Sequence, residues 1–139
     1  YSLLNNKYFK AINLGITFEF EFFLNVDKLE VNMYKFSIAL GILLDNAIEE
    51  AEKCPQKIIK ASFIRENRNS RSVITIKNTY LNKDVDIEKI FKKGESGKDN
   101  HFGIGLWEIQ NYVKKSKNLD LYTSKDNKYF KQELFIYNL

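Results

Sequence analysis

The sequence predicts an α+β fold, a two-layer sandwich in which one sheet carries helices on a single face. Three observations predict it. The stretch "ITFEFEFFLNV" alternates between apolar and polar residues. The next long stretch changes to helical spacing. Two pairs of β-rich runs follow, each pair separated by a short polar turn.

The alternation puts Ile16, Phe18, Phe20 and Phe22 on one face and Thr17, Glu19 and Glu21 on the other, the pattern of a half-buried strand. Asn32 then stands where a helix cap belongs, and Pro55 stands beyond the helix end. Between them Phe36, Ala39, Leu43, Ala47 and Ala51 recur at helical spacing. Runs 57–66 and 71–78 flank "NRNS" and predict a hairpin. "TYLNKDVD" reads as a polar loop and "IEKIFKK" as one or two helical turns. A glycine-rich stretch follows, then a helix starting near Ile104 with Leu106, Ile109 and Val113 on one face. "LDLYTS" and "FKQELFIYNL" close the chain as two strands around "KDNK". The order is strand, helix, hairpin, loop, helix, hairpin, without repeats, linkers or low-complexity tracts.

The 139 residues suit one domain, residues 1–139, with one hydrophobic core, and 44% apolar content supports it. No apolar run approaches the roughly 20 residues that span a bilayer. The start, "YSLLNNKYFK", has no secretory pattern and no initiator Met, so the chain is expected to be part of a longer protein. The net charge is +4, but the lysines are scattered and form no dense block, which favours a solvated surface over a nucleic-acid face. A single Cys54 excludes an internal disulfide framework and a cysteine-rich zinc site, and fits a reducing cytoplasm.

Two segments carry chemistry. In "LLDNAIEEAEK", Asn46 interrupts a run of Ile42, Leu43, Leu44, Ala47 and Ile48. A polar amide in that position either finds a partner in the fold or faces a ligand, and its oxygen suits Mg²⁺. Asp45, Glu49 and Glu52 fall on the adjacent face. The second segment, "FKKGESGKDNHFGIGLWEIQNYV", holds Gly94, Gly97, Gly103 and Gly105, four of the chain's six glycines. They allow close backbone approach, and a helix N-terminus behind them favours phosphate, with Lys98 as a mobile charge. An ordinary loop and a solvated helix rim are the alternatives.

Together these segments resemble one family. "LLDNAIEEA" is similar to the N box, and "KGESGKDNHFGIGL" to the glycine box with its lid, of the GHKL (Bergerat) ATP-binding fold. That superfamily includes sensor histidine kinases, type II topoisomerases, Hsp90-type chaperones and mismatch-repair ATPases. The resemblance covers nearly the whole chain and is nearest to quorum-sensing kinases of the accessory gene regulator (AgrC) type. It implies a mixed sheet and the cofactors ATP and Mg²⁺. Asn46 would bind the metal, and Asp45, Ala47 and Glu50 would surround the nucleotide. Gly103 and Gly105 would let the backbone near Leu106 hold the phosphates, and Ser96, Gly97 and Lys98 would belong to a lid over them.

The sequence departs from the family pattern twice. The D-x-G-x-G motif is absent, and "ITIKNTYL" stands in its place, making Asn78 the candidate for reading adenine as a neutral amide. Four residues before Asn46, where hydrolytic members carry a water-activating Glu, stands Ile42, which cannot take a proton. The lone histidine, His101, falls within the lid and is read as a residue without catalytic duty. The phosphoacceptor histidine would lie upstream, with "YSLLNNKYFKA" as the exit from a helical hairpin.

The resemblance therefore implies phosphoryl transfer from Mg·ATP to a histidine on a separate helical dimerisation domain, then to a response regulator. The domain would be the cytoplasmic part of a bacterial membrane-anchored homodimeric sensor. A serine kinase of the anti-sigma type and a degenerate GHKL docking module are the alternatives; nucleic acid is not an expected partner.

Overall fold

The computed structural model describes residues 2–91 and 101–138. In chain order the elements are α1 (Ser2–Asn13), β1 (Thr17–Phe23), α2 (Met33–Glu52), β2 (Ile58–Glu66), β3 (Arg71–Thr79), α3 (His101–Lys115), β4 (Leu119–Lys125) and β5 (Tyr129–Tyr137). Single 3-10 turns occupy Val26–Lys28, Asn67–Asn69 and Lys89–Phe91. Among the described residues no helix is long and apolar enough to cross a membrane.

The strands form one mixed sheet in the order β1-β2-β3-β5-β4. β1 and β2 run parallel, and every other neighbouring pair is antiparallel. A parallel pair needs a crossover, and α2 supplies it. The Asn32 side chain caps α2 by accepting from Lys35 N at 3.1 Å, as the sequence predicts. The β2–β3 turn closes through Ser70 in the left-handed region, φ 49°. The β4–β5 turn closes on Asp126, whose carboxylate accepts from the backbone N–H groups of Lys128 at 2.8 Å and Tyr129 at 2.7 Å.

The core lies between the sheet and the helices. Phe36, Ala39, Leu43, Ala47 and Ala51 of α2 are all buried, as their spacing predicts. They meet the inward residues of the central strands, among them Phe63, Ile74 and Leu134. Each large side chain so buried contributes about 1.5–3 kcal/mol.

The structure differs from the sequence reading in three places. The first segment is a helix in its own right, α1, which buries Leu4 and Ala11 and packs on α2 and β1. It ends in a reversal at Gly15, φ +78°, where Gly15 N donates to Ile12 O and Ile16 N to Ala11 O, both at 3.0 Å. Second, the inward face of β1 is only partly covered. Phe18 is buried beneath Tyr8 of α1, whose ring meets it edge-on at 5.6 Å. Phe20, on this edge strand, remains 43% exposed and rests against Phe22 and Phe63. Third, α3 begins at His101 rather than near Ile104. Gly103 and Gly105 therefore lie inside its first turns, and His101 opens the helix instead of lying in a loop.

Candidate functional site

α2 passes over the middle of the sheet, and the inward phases of β3 and β5 lie beneath its C-terminal half. Between them is a cavity of about 340 Å³, lined by Leu43, Asn46, Ala47 and Glu50 of α2 and by Ile76 and Asn78 of β3. Phe130 and Gln132 of β5 and Leu106 of α3 complete the lining, and Tyr80, Asp84, Asp86 and Lys89 bring in the loop that follows β3.

Asn46 is the notable member. It is 9% exposed, and its Nδ2 is the one buried side-chain polar atom among the described residues without a hydrogen-bond partner. Leaving such a group unpaired costs about 1–3 kcal/mol. An amide kept at that cost on the wall of a cavity is poised for something that enters it.

Gly105 explains how α3 comes so close. A Cβ at this position would lie 2.9 Å from Ile42 Cγ2 and 4.0 Å from Asn46 Nδ2. Gly105 is thus required for contact between two helices, and it needs no positive φ. Its absent side chain keeps open the space beside Asn46. Ile42, one turn before Asn46, fills the contact with an apolar branch that can neither donate nor accept a proton.

The base of the cavity is polar in a specific way. Asn78 is 4% exposed and its Nδ2 donates to Thr79 O at 2.9 Å. A carbonyl can only accept, so this bond fixes which end of the amide is nitrogen and leaves Oδ1 for a ligand. Gln132, 6% exposed, is bonded to the Thr123 hydroxyl on the neighbouring strand.

The loop over the cavity is held down at several points. Lys125 Nζ donates to the carbonyls of Lys83 at 2.7 Å and Val85 at 2.9 Å. Lys83 Nζ lies 3.8 Å from the centre of the Tyr80 ring and donates to Tyr80 O at 2.7 Å. The Tyr80 hydroxyl donates to Asp126 O. Burial, and then the nearby Asp126 charge, push the Tyr80 hydroxyl above its ordinary pKa, so it stays protonated at neutral pH. Asn82 and Asp86 accept from Asp84 N and Glu88 N and are used by the loop's own turns.

The sequence-predicted residues divide. Asn46, Glu50, Asn78 and Leu106 all line this cavity. Asp45 does not. It faces α1, where Lys7 Nζ lies at 2.7 Å and Lys10 Nζ at 3.4 Å from its Oδ1. One residue along a helix is a rotation of about 100°, enough to carry the side chain from the cavity wall to the opposite interface. Gly105 borders Asn46, and Gly103 lies within α3. Gly94, Ser96, Gly97 and Lys98 lie outside the described residues. The sequence reading missed Tyr80, Phe130, Lys89 and Gln132. For Gln132 a signal existed: in "YFKQELFIY" it occupies the phase otherwise held by Phe130, Leu134 and Ile136.

A larger groove, about 840 Å³, runs between α2 and the C-terminal half of α3 past Ile38, Trp107 and Tyr112. None of its described side chains holds a buried polar atom lacking a partner, so the smaller cavity is the better site. No group of three or more His, Cys, Asp or Glu side chains among the described residues could hold a metal ion by itself.

The fold recurs in known proteins. The fold matches the catalytic domain of the histidine kinase ThkA with a TM-score of 0.75 at 20% identity, covering 97% of this chain and 90% of that one. It matches the Acinetobacter baumannii histidine kinase AdeS with a TM-score of 0.75 at 14% identity, covering 98% of this chain and 61% of that one. No curated protein matches the sequence. The sequence profile of the GHKL domain matches residues 31–137, a span that begins just before α2 and ends with β5 and contains every cavity residue named above; the chain belongs to the GHKL family.

Proposed function

We propose that this chain is the ATP-binding catalytic domain of a sensor histidine kinase. It would hold Mg·ATP in the cavity below α2 and present the γ-phosphoryl group to a histidine on a separate helical domain. The observation that carries this reading is the unpartnered, buried Asn46 amide beside the space that Gly105 leaves open. The names of the two similar structures, both histidine kinases, support the choice among GHKL activities.

The residues present fit a magnesium–phosphate ligand. Asn46 would turn its one hard amide oxygen to the ion, its unpartnered Nδ2 suiting a phosphate oxygen instead, and Glu50, one turn further along the same wall, would offer a carboxylate. Mg²⁺ takes a few protein oxygens and completes its shell with phosphates and water, so a site without an acidic cluster suits it. The ion would neutralise charge on the transferring phosphoryl group. Asn78 Oδ1 would accept from the adenine amino group, and Phe130 and Leu106 would supply apolar contact.

Transfer forms a bond between the acceptor imidazole nitrogen and the γ-phosphorus, breaks the β–γ bridging P–O bond, and releases ADP. Little covalent chemistry is asked of this domain beyond positioning. Ile42 favours transfer over hydrolysis, because no carboxylate stands one turn before Asn46 to activate water. His101 has no part in the transfer. The parent protein would be a membrane-anchored homodimeric sensor of the accessory gene regulator type, with this domain in the cytoplasm and a response regulator as the next acceptor.

The test is radiolabel from γ-labelled ATP. The chain alone should bind ATP, turn it over very slowly and stay unlabelled. Adding a helical domain with its histidine should yield acid-labile phosphohistidine on that domain, and His101→Ala should leave this unchanged. Label on His101 of the chain alone, or no ATP binding at all, would overturn the reading.

A further inference from the structure

Two buried amides that line the cavity sit on adjacent strands and are tied by opposite ends. Asn78 pairs with Phe130 and Ile76 with Gln132 across the β3–β5 ladder, so Asn78 and Gln132 are diagonal neighbours on the same face. Both line the cavity, and both are more than nine-tenths buried. Each is also tied at one end. Asn78 Nδ2 is committed to Thr79 O, which leaves Oδ1 as an acceptor. Gln132 Oε1 is committed to the Thr123 hydroxyl, directly opposite on β4, which leaves Nε2 as a donor.

An acceptor and a donor side by side complement a donor and an acceptor side by side. The edges of adenine have that arrangement: the 6-amino group donates, and the ring nitrogen next to it, N1 or N7, accepts. A 6-oxopurine reverses the first group, setting its oxygen against Asn78 Oδ1. We propose that Gln132 is a second base-reading residue, which with Asn78 makes this cavity selective for 6-aminopurine nucleotides over 6-oxopurine nucleotides. The proposal rests on the nucleotide reading above and adds the residue that sets base specificity. A single neutral amide in place of a carboxylate is a weak reader; a second, oppositely oriented amide restores discrimination without a buried charge.

Titration calorimetry on the wild-type chain with Mg²⁺ and four nucleotides gives the first readout: ATP, ITP, 1-deaza-ATP and 7-deaza-ATP. ATP should bind about tenfold or more tighter than ITP, and one of the two deaza analogues should lose a comparable factor because it lacks the acceptor for Gln132. Gln132→Leu should weaken ATP about fivefold to tenfold while leaving ITP nearly unchanged, so that the ratio collapses. Gln132→Glu keeps an acceptor for Thr123 but offers no donor to the base, and should shift preference toward ITP, whose N1 carries a hydrogen. If wild-type protein binds ATP and both deaza analogues equally, or binds ITP as well as ATP, Gln132 does not read the base and this inference fails while the nucleotide reading stands. The same holds if folded Gln132→Leu keeps the ATP-to-ITP ratio. If the wild-type chain binds none of the four, both readings fall.

Discussion

Asp45 and Asn46 are consecutive residues of α2 with opposite surroundings. Asp45 turns toward α1 and receives Lys7 and Lys10. Asn46 turns toward the cavity, where its Nδ2 meets no partner among the described residues. By polarity alone the aspartate is the more reactive of the two. Hydrogen-bond accounting reverses that ranking, because a satisfied carboxylate fastens helices together while an unsatisfied buried amide has a bond left to make. The same helix therefore has a face tied to α1 and a face turned to the cavity, one residue apart.

The largest expected effect separates those faces. Asn46→Leu should reduce Mg-dependent ATP affinity by at least about twentyfold, near 2 kcal/mol, the range for losing a hydrogen bond to a charged ligand. The same change should leave thermal stability equal or raised by about 1 kcal/mol, since it removes an unpaired buried polar group. Unchanged ATP affinity, or a steep loss of stability, would mean that Asn46 is structural after all.

Next comes Gly105→Ala. The added methyl would meet Ile42 Cγ2 at 2.9 Å, and that branch is stiff on a helix. Overpacking costs about 1–3 kcal/mol, offset by up to about 1 kcal/mol of improved helix propensity, so denaturant unfolding should show a net loss. Ile42→Ala in the same chain should recover part of it. Full additivity of the two changes would show that the helices do not touch there.

Asp45→Ala should be milder. Asp45 is 37% exposed at its side chain, Lys10 is half exposed, and partly solvated pairs contribute about 0–1 kcal/mol. A loss of that size with ATP affinity intact would sharpen the contrast with Asn46. A tenfold loss of ATP affinity would return Asp45 to the nucleotide site.

The smallest effect concerns Asp126 and acid. Two backbone N–H donors, first that of Tyr129 and then that of Lys128, hold its carboxyl below the ordinary aspartate pKa. A depressed carboxylate contributes stability that is full above the unfolded value, near pH 4, and is lost as pH falls through the lower folded value. Asp126→Asn should flatten that acid-side slope without moving neutral-pH ATP affinity. An unchanged slope, measured by melting between pH 5 and 2, would mean that the turn does not depend on the carboxylate charge.

Much of the fold was legible because each element carries its own period. Alternation gives β1, the apolar spacing from Phe36 to Ala51 gives α2, and two short polar turns give the hairpins. The start of α3 was not legible, since glycines at 103 and 105 read locally as loop, whereas the helix already begins at His101 and Gly105 lies against Ile42. Asn46 and Asn78 stood out as amides in apolar runs. Gln132 carried the same mark in β5, yet only the β3–β5 register brings it beside Asn78.

By itself the sequence determined which residues face inward, where α2 and the hairpins begin and end, and that Ile42 cannot act as a base, because these follow from side-chain chemistry and from periods of 2 and 3.6 residues. Tertiary structure alone decided which side of α2 became the cavity wall, why Gly105 cannot carry a side chain, and which end of each base-level amide is left for a ligand. Those depend on what packs opposite, and a helix or strand does not encode its neighbour's position in its own periodicity.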